Sequence, residues 1–297
     1  MSTTTAQLHP DLRGDMQRFV ESVQESDNAP PLSEYKTMRL EAPINVRERV
    51  AFNHDGAIVG YGQAAWHRGA TAEAGHWAIE VVVGASSRHG DVAGALIDTL
   101  QTETGVESAT LWARSEYVAA AAVKAGWVAQ RELLEMRCAL PVAGLQSNFT
   151  AIEVATFRMG VDEKVWVEAN NAAFAGHPEN GHMTRRDLEN RMARSWFDPR
   201  GFFLAWDKDE LAGSCWTKIH EDGVGEIYII GVVPAWEGRG LGRDLVSHGL
   251  RYLGETRHLT KAMLFVESAN RRAMHLYEDL GFEVARTVVA YGCPPNV

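Results

Sequence analysis

Two kinds of hydrophobic pattern alternate along the 297-residue chain. Short apolar runs such as 226–232 (EIYIIGV) indicate β-strands. Directly after this run, Leu241, Leu245, Leu250 and Leu253 fall roughly on one face of a helix. Strands that alternate with amphipathic helices in this way predict an α+β (or α/β) fold, in which helices flank a mixed sheet.

Two further helices are predicted from the residues at their starts. Asp162 precedes the stretch EKVWVEANNAAF and is a typical helix N-cap. Thr184 and Asp187 resemble a capping box that opens the stretch RRDLENRMARSWF. Both helices precede the strand-rich part of the second half of the chain.

The same order of elements occurs twice. The first half contains GAIVGYGQAAWH, HWAIEVVVGASSRHGDVAGALIDTL and ATLWARSEYVAAAAVKAGWVAQREL. The second contains DELAGSCWTKIH, GEIYIIGVVPAWEGRGLGRDLVSHGL and AMLFVESANRRAMHLYEDLGFEVARTV. Each set predicts a strand, a strand–loop–helix and a strand–helix–strand. The Pro-, Gly- and Ser-containing stretch LPVAGLQSNFT separates them, so we predict domains at 1–143 and 151–297 joined by a linker at 144–150.

The two halves differ at positions suited to chemistry. When EGRGLG (237–242) is laid over RHGDVA (88–93), Asp91 stands opposite Gly240, and Trp77 stands opposite Glu226. Near the end of each half, Ala122 stands opposite Tyr277. The second half therefore has glycines, a carboxylate and a phenol that the first half lacks, and we predict that it carries the chemistry.

Composition excludes several functional classes. The net charge of −10 argues against nucleic acid or an anionic membrane as the main partner. The three cysteines are too few and too scattered for a disulfide framework or a zinc site, so no metal is expected. No apolar run is long enough to span a membrane, and the N-terminus has no signal-peptide pattern. We therefore expect a cytoplasmic protein, and we expect it to be monomeric.

The glycine-rich loop is neither of the two common phosphate-binding motifs. A Walker A loop requires Gly-Lys-Ser/Thr, and a dinucleotide-binding fingerprint requires glycine where Arg243 stands. Small residues between a strand and a helix still allow backbone amides to converge on an anion at the helix N-terminus. An ordinary flexible turn is the alternative for the glycines alone.

Two motifs in register resolve this choice. VVPAWEGRGLG, followed by NRRAMHLYEDLGF, resembles the GNAT superfamily of acyl-CoA-dependent N-acyltransferases. The resemblance implies two tandem GNAT domains, acetyl-CoA as the co-substrate, and a strand before the loop that splays from its neighbour. It places the donor contacts on these residues: Ile230, Gly231, Val232, Glu237, Gly238, Arg239, Gly240, Leu241, Gly242, Arg243, Asn270, Arg271, Arg272, Ala273, Met274 and His275.

Acyl transfer to an amine needs a general base and gains from an acid that protonates the leaving thiolate. Glu226, at the start of the splayed strand, is the predicted base, with a solvated strand-edge Glu as the alternative. Tyr277 is the predicted acid, with a packed core aromatic as the alternative. His220 has a suitable pKa for a base, but it ranks below Glu226, because a surface or packed histidine is the commoner case.

A second resemblance covers the whole chain. DNAPPLSEY, NAAFAGHPENGHMTRRDLENR, WFDPRGFFLA and CWTKIH are similar to segments of the mycothiol synthase family. The resemblance implies that the acceptor is a cysteinyl–glucosaminyl–inositol pseudodisaccharide, acetylated on the cysteine amine. It places acceptor contacts on Glu34, Glu179, Lys218 and Glu226. Phe265 stands where relatives often have a tyrosine, so one acceptor contact differs in this chain.

In the first half, RHGDVA is a poor version of the pyrophosphate loop, because Asp91 would put negative charge beside a phosphate. Any coenzyme A bound there should be held weakly. This second site would comprise Glu80, Val81, Val82, Arg88, His89, Gly90, Asp91, Val92 and Ala93. Two other functions stay open at this point: a tandem GNAT enzyme that acts on another amine, such as an aminoglycoside or a protein N-terminus, and a non-catalytic acyl-CoA sensor.

Overall fold

The computed structural model describes residues 4–67, 75–105, 109–145, 152–175, 177 and 181–293. Within these ranges the chain forms two compact units. The first comprises Met1–Leu133 with Thr287–Val297, and the second comprises Leu134–Arg286. Most of the predicted linker at 144–150 lies outside the described residues, so its extent stays a prediction.

The first unit contains strands β1 (Thr4–Gln7), β2 (Val46–Phe52), β3 (Ile58–His67), β4 (His76–Val83) and β5 (Ala109–Ala113), adjacent in that order. The end of the last strand, β12 (Glu283–Gly292), pairs with β5. β4 and β5 are parallel, whereas the other recorded pairs in this unit are antiparallel. The helices are α1 (Arg13–Asp27), α2 (Glu34–Glu41), α3 (Val92–Thr104) and α4 (Glu116–Lys124).

The second unit repeats this plan. Its strands, in their order across the sheet, are the second half of β6 (Val128–Ala139, in the second unit from Leu134), β11 (Lys261–Glu267), β10 (Gly225–Val232), β9 (Glu210–Ile219), β8 (Phe202–Asp207) and β7 (Glu153–Thr156). β10 and β11 are parallel, and β7 to β10 form antiparallel pairs. The helices are α5 (Glu163–Ala173), α6 (Arg185–Met192), α7 (Leu241–Arg251) and α8 (Arg271–Asp279).

The strands of the second unit (the second sheet) have a hydrophobic core on each face. On one face, the predicted leucine stripe of α7 packs with residues such as Cys215 and Ile227, and Leu241, Leu245 and Leu250 are each at most 1% exposed. On the other face, α5 and α6 cover an aromatic cluster that includes Trp166, Phe202 and Trp216. The glycine loop and α7 are therefore anchored on one face. The strand β10 also contacts the aromatic cluster on the other face.

The predicted helix starts are found where expected, but one cap differs. Thr184 and Asp187 form the expected capping box at α6. Asp162 stands at the N-cap of α5, but its side chain makes no capping hydrogen bond. Its carboxylate instead accepts hydrogen bonds from the backbone and guanidinium of Arg158, with Nη2–Oδ1 at 2.7 Å. A charge-assisted bond is stronger than one to a neutral amide, which explains the choice.

Candidate active site

The predicted base Glu226 lies on β10, and the predicted acceptor contact Lys218 lies on the neighbouring strand β9. In its antiparallel ladder with β9, Glu226 stands opposite Lys218, and Gly231 stands opposite Ser214. The register shifts around Tyr228, which is therefore the extra residue of a β-bulge. Opposed residues share a face of a sheet, so the bulge brings Glu226 and Gly231 to the same face although their spacing along the strand is odd.

Glu226 is a nearly enclosed carboxylate with a hydrogen-bond partner. Its side chain is 7% exposed, and its Oε2 lies 2.8 Å from Nε2 of His220. Lys218, which is also buried, stands directly across the ladder. A carboxylate held in this way, at the rim of a sheet and fixed by a second side chain, has the geometry that a general base requires.

Aromatic rings surround the ammonium of Lys218. Its Nζ lies 5.0 Å from the ring centroid of Trp196 and 5.5 Å from that of Tyr228. The two rings meet edge to face at 5.1 Å, and the Tyr228 hydroxyl accepts a hydrogen bond from Arg191 Nε at 3.0 Å. Cation–π contacts stabilise a cation without neutralising it. The two rings therefore hold the Lys218 ammonium group beside the start of β10.

Beyond its first residues, β10 leaves its parallel neighbour. In the described residues, the ladder with β11 runs from Gly225–Ala262 to Ile227–Leu264 and stops there, although both strands continue. The ladder with β9 continues to Val232. The backbone from Ile229 to Val232 therefore parts from β11, as the predicted splay requires.

At Gly231 this strand passes close under α5. A Cβ at this position would stand 3.1 Å from the Cβ of Ala173 and 3.2 Å from the ring of Phe174. Glycine is therefore required by a close approach of two elements.

The loop after β10 ends at a helix terminus that no side chain caps. Gly238 and Gly240 have φ of +78° and +90°, a region that L side chains rarely adopt, and Gly240 is the N-cap of α7. Arg243, in the first turn, lies 3.2 Å from Asp279, and Arg272 lies 3.4 Å from Glu237. Uncapped amides at a helix N-terminus suit a phosphate, and the two arginines beside them are exposed, although each is paired with a carboxylate.

α8 provides the remaining predicted residues. Asn270 caps this helix, since its side chain accepts a hydrogen bond from the amide of Ala273 at 3.1 Å. Tyr277 is buried and meets Phe282 edge to face at 6.0 Å. Burial raises the pKa of the Tyr277 phenol well above its usual value. The phenol therefore stays protonated at neutral pH and has a proton to donate.

Comparisons with known proteins agree with this arrangement. The profile of the Acetyltransferase (GNAT) family matches residues 166–282, within the second unit. A mycothiol acetyltransferase from Thermobifida fusca is 34% identical, over 99% of this chain and 98% of that protein. One from Geodermatophilus obscurus is 40% identical, over 86% of each chain. The chain belongs to the mycothiol acetyltransferase family.

Solved structures agree with the predicted fold class. A tandem GNAT protein from the clavulanic acid biosynthesis pathway superposes with a TM-score of 0.73 at 16% identity, and the match covers 100% of both chains. At this identity the likeness concerns the fold alone. The prediction of an α+β protein with two tandem GNAT domains is confirmed.

The predicted acceptor contacts of the mycothiol acetyltransferase family are only partly brought together. Lys218 and Glu226 share one face of the second sheet. Phe265 is on the same face by register, because it lies two residues after Met263, which stands beside Glu226. Glu34 is the first residue of α2 in the first unit. Glu179 lies outside the described residues.

In the first unit, the positive charges near the predicted second donor site are paired internally. A pocket there is lined by Arg88, Gly90, Asp91, Tyr117 and Lys124, among others. Arg88 donates to both carboxylate oxygens of Asp27, at 2.6 and 2.8 Å, and its guanidinium lies 4.7 Å from the Tyr117 ring centroid. Asp91 is the N-cap of α3 and lies 3.1 Å from Lys124. These pairs agree with the prediction that any coenzyme A there would be held weakly, which itself stays a prediction.

Glu80, which belongs to the same predicted second site, has a structural partner. Its carboxylate is 3% exposed and accepts a hydrogen bond from the amide of Ser33, the residue before α2, at 2.6 Å. Val81 and Val82 are buried beside it in β4. Weak binding of coenzyme A by the first unit therefore stays a prediction.

The sequence offers His220 and Glu226 as alternative general bases. It does not predict that their side chains are hydrogen-bonded to each other. The signal was available in the short Asp222–Gly223 turn between them, which indicates a tight hairpin and hence two neighbouring strand ends. Within the described ranges, no three His, Cys, Asp or Glu side chains converge as a metal site would require. No helix in those ranges is long and apolar enough to cross a membrane.

Proposed function

We propose that the protein acetylates the cysteine amine of the cysteinyl–glucosaminyl–inositol pseudodisaccharide with acetyl-CoA, the last step of mycothiol biosynthesis. The observation that carries the proposal is the buried Glu226 carboxylate at the mouth of the splayed β10, in a chain that belongs to the mycothiol acetyltransferase family. We place the reaction in the cytoplasm and expect a monomeric enzyme.

The donor would be held by the backbone of the second unit. The uncapped N-terminus of α7, with Gly238 and Gly240 before it, suits the pyrophosphate of acetyl-CoA. The backbone of Ile230 to Val232, which β11 leaves unpaired among the described residues, suits the amide-rich pantetheine arm. Bound acetyl-CoA supplies the thioester carbonyl that the amine attacks and the thiolate that leaves.

Glu226 would take a proton from the acceptor. An amine attacks a carbonyl only in its neutral form, and most amines are protonated at neutral pH, so a base must remove a proton before or during attack. The Glu226 carboxylate is positioned for this at the start of β10, and Lys218 beside it suits a hydroxyl oxygen of the acceptor. A charged pair of opposite sign favours an acceptor that carries both an ammonium and sugar oxygens.

Tyr277 would give a proton to the departing thiolate. Its phenol is protonated, because burial raises its pKa, and α8 holds it close to the aromatic ring of Phe282. The same shift makes the phenol a weaker acid, so it would give up its proton only to a thiolate that has become strongly basic late in bond breaking. The base and the acid are thus different residues on different elements.

Purified protein, acetyl-CoA and a panel of amines test the proposal, with products followed by mass spectrometry. The panel contains the cysteinyl pseudodisaccharide, the same compound without its cysteine, an aminoglycoside and a peptide with a free N-terminus. Acetylation of the cysteinyl compound with the highest kcat/KM supports the proposal. A clear preference for another amine on the panel would overturn the assignment of the acceptor.

A further inference from the structure

His220 is held against Glu226 by the hairpin that joins β9 to β10. The amide of His220 donates to the carbonyl of Val224, and the amide of Gly223 donates to the carbonyl of His220, both at 2.9 Å. Asp222 tightens the turn by accepting from the amide of Val224 at 3.1 Å. The imidazole and the carboxylate are therefore fixed by backbone hydrogen bonds and meet at 2.8 Å.

The two partners differ in their access to water. The Glu226 side chain is 7% exposed, whereas that of His220 is 30% exposed. The imidazole of His220 therefore lies between Oε2 of Glu226 and solvent. The other carboxylate oxygen of Glu226 takes no part in this hydrogen bond. Lys218, directly across the ladder, is itself buried, so it offers no route to solvent.

We propose that His220 is a positioning residue that also carries the proton from Glu226 to solvent. The inference rests on the proposed function of Glu226 as the base. The N–H bond of the acceptor ammonium breaks and an O–H bond forms on Glu226. That O–H bond then breaks as an N–H bond forms at Nε2 of the Nδ1–H tautomer of His220, and the N–H bond at Nδ1 breaks as the imidazolium releases a proton to water. Proton exchange with water then returns the ring to the Nδ1–H tautomer.

The proton balance of the reaction requires such an exit. An ammonium and a thioester give an amide, a thiol and one proton, so each turnover must discharge one proton from the site to water. A base that is almost fully enclosed and faces a fixed cation discharges it slowly without a carrier. An imidazole is the side chain best suited to pick up and release a proton near neutral pH.

The test uses His220→Gln, which retains a hydrogen-bond donor for Glu226 but cannot carry a proton, and His220→Ala. His258→Asn serves as the matched control, since His258 is an exposed loop histidine with φ of +57°, which asparagine tolerates. We expect His220→Gln to lower kcat by about 10- to 100-fold at low buffer concentration. KM for acetyl-CoA should stay within about twofold, and added imidazole should restore most of kcat. The control should behave as wild type.

Rescue separates proton transfer from structure. If His220→Gln retains wild-type kcat, or if imidazole fails to restore either variant, the proposal is overturned. A loss in His220→Ala alone would assign His220 a purely structural role and also overturns the proton-carrier role.

The wild-type arm separates this proposal from the proposed function. If wild type acetylates a different amine from the panel, the acceptor assignment fails, and the His220 variants are then compared on the accepted amine. If wild type acetylates no amine, both proposals fail.

Discussion

Replacement of Glu226 by glutamine tests the predicted base with little disturbance of the fold. Glutamine has nearly the shape of glutamate, so the packing of this 7% exposed side chain is preserved. Its amide can still form a hydrogen bond with His220, which lies 2.8 Å from the carboxylate. The substitution removes the ability to accept a proton and the negative charge that faces Lys218.

The expected loss follows from the role. A positioned general base contributes about 10²- to 10⁴-fold to the rate. At about 1.4 kcal/mol per tenfold, Glu226→Gln should raise the activation barrier by about 3–5 kcal/mol. KM for acetyl-CoA should change little, because the donor would be bound by the loop and α7, not by this side chain.

Steady-state kinetics with the cysteinyl pseudodisaccharide measures the loss, with thermal unfolding as a check on the fold. Glu221→Gln is the matched control, because Glu221 is an exposed carboxylate in the same hairpin turn. The control should keep full activity. Turnover of Glu226→Gln within about tenfold of wild type is well below the contribution of a base; it would show that Glu226 is not the base and leave it with a binding or structural role.

Three further substitutions have outcomes fixed by the structure. Tyr277→Phe keeps the packing against Phe282 but loses the acidic proton, so kcat should fall by about 100-fold with KM for acetyl-CoA unchanged; steady-state kinetics measures both, and near-normal turnover would remove Tyr277 from the mechanism. Gly231→Val places side-chain atoms against Ala173 and Phe174 and should destabilise by about 1–3 kcal/mol; urea unfolding at wild-type stability would contradict the close approach. Thr184→Ala removes the hydroxyl that accepts a hydrogen bond from the amide of Asp187 at 3.2 Å. It should lower the free energy of unfolding, measured in urea, by about 1 kcal/mol. Thr156→Ala, on the exposed end of β7, is the comparison; equal losses in both variants would argue against a capping effect.

Local patterns predicted the local structure. The leucines of α7 and the capping box at Thr184 depend on residues within one or two turns of a helix, and both are confirmed. The divergence of β10 and β11 agrees with the family resemblance. The residues around Gly240 in the sequence predict a phosphate loop. The left-handed conformation of Gly240 at the N-cap of α7 gives the physical reason for glycine there.

Pairing between distant residues could not be read from those patterns. The bulge at Tyr228 places two consecutive residues, Tyr228 and Ile229, against the same aromatic cluster, which a strict alternation would not allow. The rings around Lys218 come from Trp196 and Tyr228, and only the folded sheet brings them together. The Asp162 side chain binds Arg158 and does not cap α5. Both candidate partners of Asp162 lie within one turn, so only the geometry of the folded chain decides between them.

The division of the chain is a further case. The sequence predicts that everything from 151 to 297 forms the second domain, whereas Thr287–Val297 is grouped with the first compact unit. β12 provides the connection, since its residues Val289 to Gly292 pair with β5. Long-range strand pairing of this kind leaves no trace in local hydrophobic periodicity, so the repeat alone could not reveal it.

The central claim is that the second unit transfers an acetyl group to the cysteine nitrogen of the pseudodisaccharide. The most direct measurement is the position of the acetyl group in the product, determined by NMR after incubation of purified protein with acetyl-CoA and the cysteinyl compound. We expect a single acetyl group, on nitrogen, formed by wild type and strongly reduced in Glu226→Gln. Acetyl found on sulfur or on a sugar hydroxyl, or equal product from both proteins, would contradict it.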